Sequence, residues 1–459
     1  MIDFSEIANW GGIFLIAVLL SGMLLANILK NNIKFLKKSL IPTSVLGGII
    51  ILLISELCGL IFGENLFDMV MFGGNGYANL EVITYHCLAL GFIGSSFKVA
   101  DKKLTKQRAG EVFNTGVTTV STYLIQAILG LTVTIVAGLF ITGFFTGSGA
   151  ILCLGFGQGT GQAMTWGSNY EKLGFTNGTN FGLTIAALGF LCASIGGVIH
   201  LNVLKRKGRL PLRKTGDGLN LEKVETENEI PMQGSIDKLT IQIGLIVIAY
   251  AMTFGAMYLL GLLLPGMKPT IFGFNFLIGV LMASLIKGIL QFLYNKKVVK
   301  KKYINNFLMT RVGNFFYDIM VVAGISAIRL DLLTDYWGVV AILSVVGLVS
   351  TYVYNRIVAK TLFKGYKEEQ FLAMYGMLTG TASTGIILLR EIDGDFITPV
   401  ADNLVYQNFP AIVFGLPIML LLPYAAKQPL NTVFILTAFL VVMNIILFRK
   451  QIFRKRKKA

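Results

Sequence analysis

Two short stretches carry the residues best suited to hold a ligand. The first, Gly155-Phe156-Gly157-Gln158-Gly159-Thr160-Gly161-Gln162, places glycine at every second position. It offers bare backbone N–H groups, because glycine lets a ligand approach the main chain closely. The second, Gly376-Met377-Leu378-Thr379-Gly380-Thr381-Ala382-Ser383-Thr384-Gly385, holds four hydroxyls. N–H and O–H groups suit a carboxylate, whereas hydroxyl and carbonyl oxygens suit a hard monovalent cation such as sodium. Gly157, Gln158, Gly159, Thr160, Gly161, Gly380, Thr381, Ser383 and Thr384 are the candidates for a small anionic substrate. Thr379 is a candidate for the cation. A nucleotide loop is excluded, since no Gly-Lys-Ser/Thr follows the glycines. The competing reading makes both stretches small-residue packing faces of ordinary helices.

The rest of the chain decides how such stretches are held. Of 459 residues, 54% are hydrophobic, only 14% are charged and 51 are glycine. Soluble domains run near a quarter charged, so an ordinary soluble enzyme is excluded. The net charge of +16 does not point to nucleic acid, because the basic residues fall in short clusters between long apolar stretches. A helix crossing a hydrocarbon core of about 30 Å needs roughly 20 apolar residues. Eleven such windows are predicted, at 8–29, 40–62, 77–97, 112–142, 179–203, 238–265, 271–294, 307–328, 337–358, 404–425 and 431–448. The opening residues MIDFSEIANW lack a basic leader, so the first window is expected to be a retained span. Cys58, Cys87, Cys153 and Cys192 lie in apolar stretches without paired spacing, which predicts neither disulfides nor a zinc site.

The glycine-rich stretches, extended to 148–167 and 370–390, are apolar enough to enter the bilayer. Basic residues cluster at 30–38, 98–108, 205–214, 296–302, 356–367 and 449–458, which together hold 31 of the 40. The positive-inside rule puts all six clusters in the cytoplasm and the N-terminus outside. If 148–167 crossed fully, the 205–214 cluster would lie outside. If 370–390 alone crossed fully, so would the basic tail. Each stretch is therefore expected to re-enter, the first from outside and the second from the cytoplasm. The predicted fold is an all-α polytopic membrane protein of two inverted five-span repeats, each with a re-entrant hairpin. The repeats cover 1–204 and 238–425, joined by a cytoplasmic linker at 205–237 that reads as a tether and followed by an extra span and basic tail at 426–459. Gly155, Gly159 and Thr160 recur as Gly376, Gly380 and Thr381, and Tyr85-His86 recurs as Tyr317-Asp318. Non-helical backbone survives at membrane depth only in protein or beside a wet cavity, so the hairpins imply a site.

Ionisable residues at bilayer depth default to functional hypotheses. Asp318 is a candidate sodium ligand or partner of Arg311, and His86 a proton-sensitive contact. The alternative for both is an interhelical hydrogen bond. Glu56, Glu81, Lys287 and Arg311 sit near span ends, where long side chains reach water. Trp10, Trp337 and Trp166 are expected on the outer face as an aromatic belt, with Trp166 alternatively a gate. Thr179 is expected to cap span five. Asn180 and Thr184 follow it as secondary site candidates, with Thr184 and Asn408 completing the cation set.

IPTSVLGGI (41–49), GFGQGTGQAMTWG with EKLGFTNGTNFG (155–182) and GTASTG (380–385) resemble the glutamate:sodium symporter family. The resemblance covers most of both halves and is strongest over 150–200. Family members often carry His where this chain has Gln158, and Thr-Pro-Thr where it has Ala382-Ser383-Thr384. The resemblance implies sodium-coupled uptake of L-glutamate at the plasma membrane, a homodimer, and an elevator-like motion of the hairpin-bearing part against a scaffold. No cofactor is expected beyond sodium as coupling ion. A sodium-coupled citrate or malate transporter is the alternative within transport, and a non-transporting membrane scaffold the alternative outside it. With only His86 and His200, far apart in sequence, no metal-hydrolase site is assembled, and the chain is read as a non-enzyme.

Overall fold

The computed structural model describes residues 6–97, 105–210, 229–232, 236–333, 336–394 and 397–455, and these are helical almost throughout. The first half comprises α1 (Gly11–Asn32), α2 (Lys34–Ser39), α3 (Thr43–Phe62), α4 (Gly76–Ser96) and α5 (Lys106–Phe140). It continues with α6 (Ile151–Gln158), α7 (Thr160–Glu171) and α8 (Gly178–Arg206). The second half comprises α9 (Lys238–Leu263), α10 (Lys268–Gly273), α11 (Asn275–Asn295), α12 (Asn306–Ser326) and α13 (Trp337–Leu362). It ends with α14 (Lys367–Thr379), α15 (Ala382–Arg390), α16 (Val400–Tyr406), α17 (Asn408–Lys427), α18 (Pro429–Leu447) and α19 (Arg449–Lys455).

Among the described residues ten helices, α1, α3, α5, α8, α9, α11, α12, α13, α17 and α18, are long and apolar enough to cross a membrane. The sequence predicted eleven. The difference is α4, which has 21 residues but carries Asn79, Glu81, Thr84, Tyr85 and His86. It packs against α7, α9, α11 and α12, with Thr84 buried, Glu81 and Tyr85 half-buried, and Asn79 and His86 exposed. Peripheral helices instead expose apolar side chains, such as Ile13 and Leu24 on α1, Leu259 and Leu262 on α9, and Phe434 on α18. A helix apolar on its outward face suits a lipid surround. The core is built by α6, α7, α8 and α14, where Phe156, Trp166, Phe190, Phe371 and Tyr375 are buried.

Both glycine-rich stretches are pairs of short helices with one break each. α6 and α7 have 8 and 12 residues, and α14 and α15 have 13 and 9. At 1.5 Å per residue none of them alone reaches across about 30 Å. α15 folds back on α14: a Cβ on Gly376 would lie 2.9 Å from the Cα of Gly385. α7 lies on α8 in the same way, with Gly167 against Gly178 and Gly182 against the Ala163 carbonyl. Gly167, Gly178, Gly182, Gly376 and Gly385 thus serve close packing between helices.

Three further expectations need correction. Trp166 is 1% exposed, against Tyr170 and Phe274, and is no belt residue, whereas Trp10 and Trp337 are 46% and 43% exposed. Thr179 does not cap α8; its backbone N–H donates to the Glu171 carboxylate at 2.9 Å, which satisfies the helix start from the preceding turn. The linker's C-terminal end is docked rather than free. Glu229 accepts from Lys238 at 2.8 Å and from Asn305 at 2.7 Å, and the Ile230 N–H donates to the Lys302 carbonyl at 3.1 Å. Glu222, Glu225 and Glu227 of the linker lie outside the described residues.

Candidate functional site

The first break turns on one residue. Gly159 has φ +84° and ψ −167°, a conformation essentially confined to glycine. It ends α6 and starts α7 without a loop. The first intrahelical bond of α7 runs from Ala163 N–H to the Gly159 carbonyl at 3.3 Å. The N–H groups of Thr160, Gly161 and Gln162 are thus left without an intrahelical acceptor. The second break spans Gly380 and Thr381, and α15 starts with Gly385 N–H donating to the Thr381 carbonyl at 3.1 Å. Ala382, Ser383 and Thr384 likewise keep free N–H groups. Neither start carries a side-chain cap.

These two breaks, about 220 residues apart in sequence, meet. A Cβ placed on Gly159 would lie 3.4 Å from Thr381 Cγ2, 3.7 Å from Phe190 Cζ and 3.9 Å from the Gly380 carbonyl oxygen. Phe190 of α8 sits between them, and it would also lie 3.0 Å from a Cβ on Gly380. Thr160, Thr379 and Thr384 are fully buried, Gln158, Thr381 and Ser383 half-buried, and Ala382 exposed. Two helix N-termini and two helix C-termini therefore share one place. The former carry partial positive charge and the latter partial negative charge. Such a junction can take an anion on one side and a cation on the other.

Neighbouring helices fix the junction. Tyr123 OH on α5 donates to the Gly157 carbonyl at 3.0 Å, and Gln126 Nε2, three residues on, donates to the Leu378 carbonyl at 2.8 Å. One face of α5 thereby holds the carbonyl ends of α6 and α14 together. Thr160 Oγ1 donates to the Met320 carbonyl of α12 at 3.3 Å. Gln162, on the first turn of α7, is fully buried with neither side-chain polar atom paired.

The structure brings Gly157, Gln158, Gly159, Thr160, Gly161, Thr379, Gly380, Thr381, Ser383 and Thr384 to the two breaks. The remaining cation candidates are placed in other contacts. Thr184 donates to the Asn180 carbonyl of its own helix at 2.9 Å, Asn408 accepts from Gln407 Nε2 at 3.0 Å, and Asp318 lies half-buried on α12. Asn180 clamps the chain beyond α12 through Arg329, accepting from its N–H at 2.8 Å and donating to its carbonyl at 2.7 Å. His86 pairs with Tyr250 OH at 2.6 Å, and Arg311 stacks 5.0 Å over Phe307. His86 is thus held by an interhelical hydrogen bond. Sequence reasoning missed Tyr123, Gln126, Phe190, Thr351 and Asn355. The available signal was a polar face on α5, where Thr115, Thr118, Thr119, Thr122 and Gln126 recur at helical spacing inside an apolar span.

A second polar centre lies at the start of α14, beside a cavity of about 580 Å³ lined by Lys207, Arg209, Lys360, Lys364 and Lys367 among others. Glu368 receives two bonds from Arg356, at 2.6 and 2.8 Å, and lies 3.1 Å from His200 Nε2. Burial pushes the Glu368 carboxyl up. The hydrogen bonds from His200 and Arg356, with the guanidinium charge, outweigh it and hold the pKa down at about 2. This cluster joins α8, α13 and α14 at the base of the second broken pair. No protein-family model matches the chain, and no curated protein matches it.

Proposed function

We propose that this chain is a secondary active transporter that couples sodium entry to uptake of L-glutamate, or a similar small acidic solute, across the plasma membrane. The observation that carries the reading is the meeting of two broken helices, one from each half, with Gly159 beside Thr381 and Gly380. On this reading the uncapped starts of α7 and α15 present N–H groups to substrate carboxylates. The carbonyl ends of α6 and α14, with nearby hydroxyls, receive the coupling ion. The broken pairs are re-entrant hairpins of opposite entry, belonging to inverted five-span repeats, and the N-terminus faces outward. The basic cavity beside α14 then opens on the cytoplasmic side, where its charge holds acidic solute near the exit. Homodimerisation and an elevator-like motion belong to the same proposal, through the likeness to glutamate:sodium symporters.

The test is transport by purified protein in liposomes. Labelled glutamate should accumulate under an inward sodium gradient and fail to do so when potassium replaces sodium. Absence of sodium-driven uptake of every acidic amino acid tried would refute the reading. Stronger competition by citrate or malate than by glutamate would move the substrate to the hydroxycarboxylates.

A further inference from the structure

We propose that the coupling cation binds in a buried cluster built by α5 and α13 beneath the end of α14, with Gln126 and Asn355 supplying its side-chain oxygens. This assignment rests on the sodium-coupled reading above and names a site for that ion. It differs from the cation set expected from sequence, of which only Thr379 lies nearby, one residue beyond Leu378.

Two buried oxygen atoms mark the site. Gln126 and Asn355 are 0% and 1% exposed, and the oxygens Gln126 Oε1 and Asn355 Oδ1 have no hydrogen-bond partner. Buried acceptors are paired as a rule, and an unpaired one costs about 1–3 kcal/mol. The amide orientations are fixed by what their nitrogens meet. Gln126 Nε2 donates to the Leu378 carbonyl and to Thr351 Oγ1, both at 2.8 Å. Asn355 Nδ2 donates to the Thr351 carbonyl at 3.0 Å and to Thr122 Oγ1 at 3.3 Å. Turning either amide would set an oxygen against a carbonyl, so the orphans are acceptors.

The two orphans belong to one hydrogen-bonded cluster. Gln126 and Thr122 are one turn apart on α5, Thr351 and Asn355 one turn apart on α13, and the four are cross-linked by the bonds above. The cluster abuts the carbonyl end of α14, where the helix dipole adds negative potential. Neutral oxygens and helix carbonyls without a carboxylate suit a monovalent alkali cation, whereas calcium sites recruit acidic ligands. Because Gln126 also holds Leu378, a cation drawn to its oxygen acts on the residues next to the second break.

The experiment follows thermal unfolding of the purified full-length protein, without substrate, in sodium, potassium or choline chloride at constant ionic strength. A ligand of the folded state stabilises it by RT ln(1 + [L]/Kd). Sodium should raise the unfolding temperature and potassium should not. Asn355→Leu should raise the sodium concentration for half-effect by about tenfold or more. Its unfolding temperature in potassium, where it has lost two Nδ2 hydrogen bonds along with the unpaired oxygen, sets the baseline from which its sodium response is read. Asn355→Asp should shift the half-effect the other way, since a carboxylate draws the ion more strongly. If both variants keep the wild-type sodium response, the orphans hold only a water and the site falls, while sodium-driven uptake by the wild type leaves the transport reading standing. A wild type with neither a sodium response nor sodium-driven uptake overturns both.

Discussion

Gly159→Ala isolates the backbone of the first break from its packing. The new methyl would lie 3.4 Å from Thr381 Cγ2 and 3.7 Å from Phe190 Cζ, which is ordinary contact, so sterics contribute little. What remains is the main chain. At φ +84° and ψ −167° an L-residue carries about 1–3 kcal/mol of strain. If the break relaxes to shed that strain, the fraction of molecules with a formed junction falls, and apparent affinity falls with it by roughly 5- to 150-fold. Gly174→Ala is the control. Gly174 has φ +100° and nothing within 4 Å of its added Cβ, in the turn between α7 and α8. It should lose comparable stability yet keep transport affinity. Insertion, unfolding temperature, and the sodium and glutamate dependence of uptake are measured on both. If Gly159→Ala transports with wild-type affinities, the conformation of Gly159 does not shape the site and the reasoning fails.

Arg356→Ala removes both guanidinium bonds from buried Glu368 and leaves it only His200, so it should destabilise by about 1–3 kcal/mol, read as a fall in unfolding temperature. The Glu368 carboxyl is held at about 2, below its ordinary 4.5. Its stabilisation is therefore complete above pH about 4.5 and is lost as pH falls toward 2, and Glu368→Gln should flatten that part of the unfolding profile relative to wild type. Single cysteines at Lys207 and Glu64, in a background without native cysteines, should react with an impermeant maleimide in intact cells only at position 64. Labelling at 207 would break the crossing count on which re-entrance rests. Sodium should tighten glutamate binding by the factor by which glutamate tightens sodium binding, as measured by calorimetry; independence of the two would count against a shared site.

The positions of the breaks were legible because a break is a local property. The glycine at 159 is the residue type its dihedral angles require, and the alternating glycines around it disfavour one long helix. Span boundaries were legible for the same reason, since they follow continuous apolar windows and basic clusters. Long-range partners were not. Asp318 and His86 stand out in sequence as charged or titratable groups in apolar helices, but their partners depend on packing, as the Tyr250 hydroxyl beside His86 shows. Gln126 is uncharged and Thr351 and Asn355 lie in another span, so their shared cluster exists only once α5 and α13 are packed. Trp166 misled because an aromatic near a predicted interface reads alike whether it faces lipid or core.

The junction also bears on how two ligands could depend on one another. Uncapped helix starts attract an anion and repel a cation, and helix carbonyl ends do the reverse. With both kinds of end within a few ångströms of Gly159, a carboxylate alone leaves the carbonyl ends uncompensated, and a cation alone leaves the N–H groups so. An anion at the N–H groups and a cation beneath the carbonyl end of α14 compensate each other's charge in a buried setting, where an unpaired ion is most costly. On the proposed reading, coupling of the two solutes then runs through Gln126, which holds the Leu378 carbonyl beside the second break. It follows from two broken helices placing opposite ends at one point, with Tyr123 and Gln126 on a single face of α5 holding the carbonyl ends there.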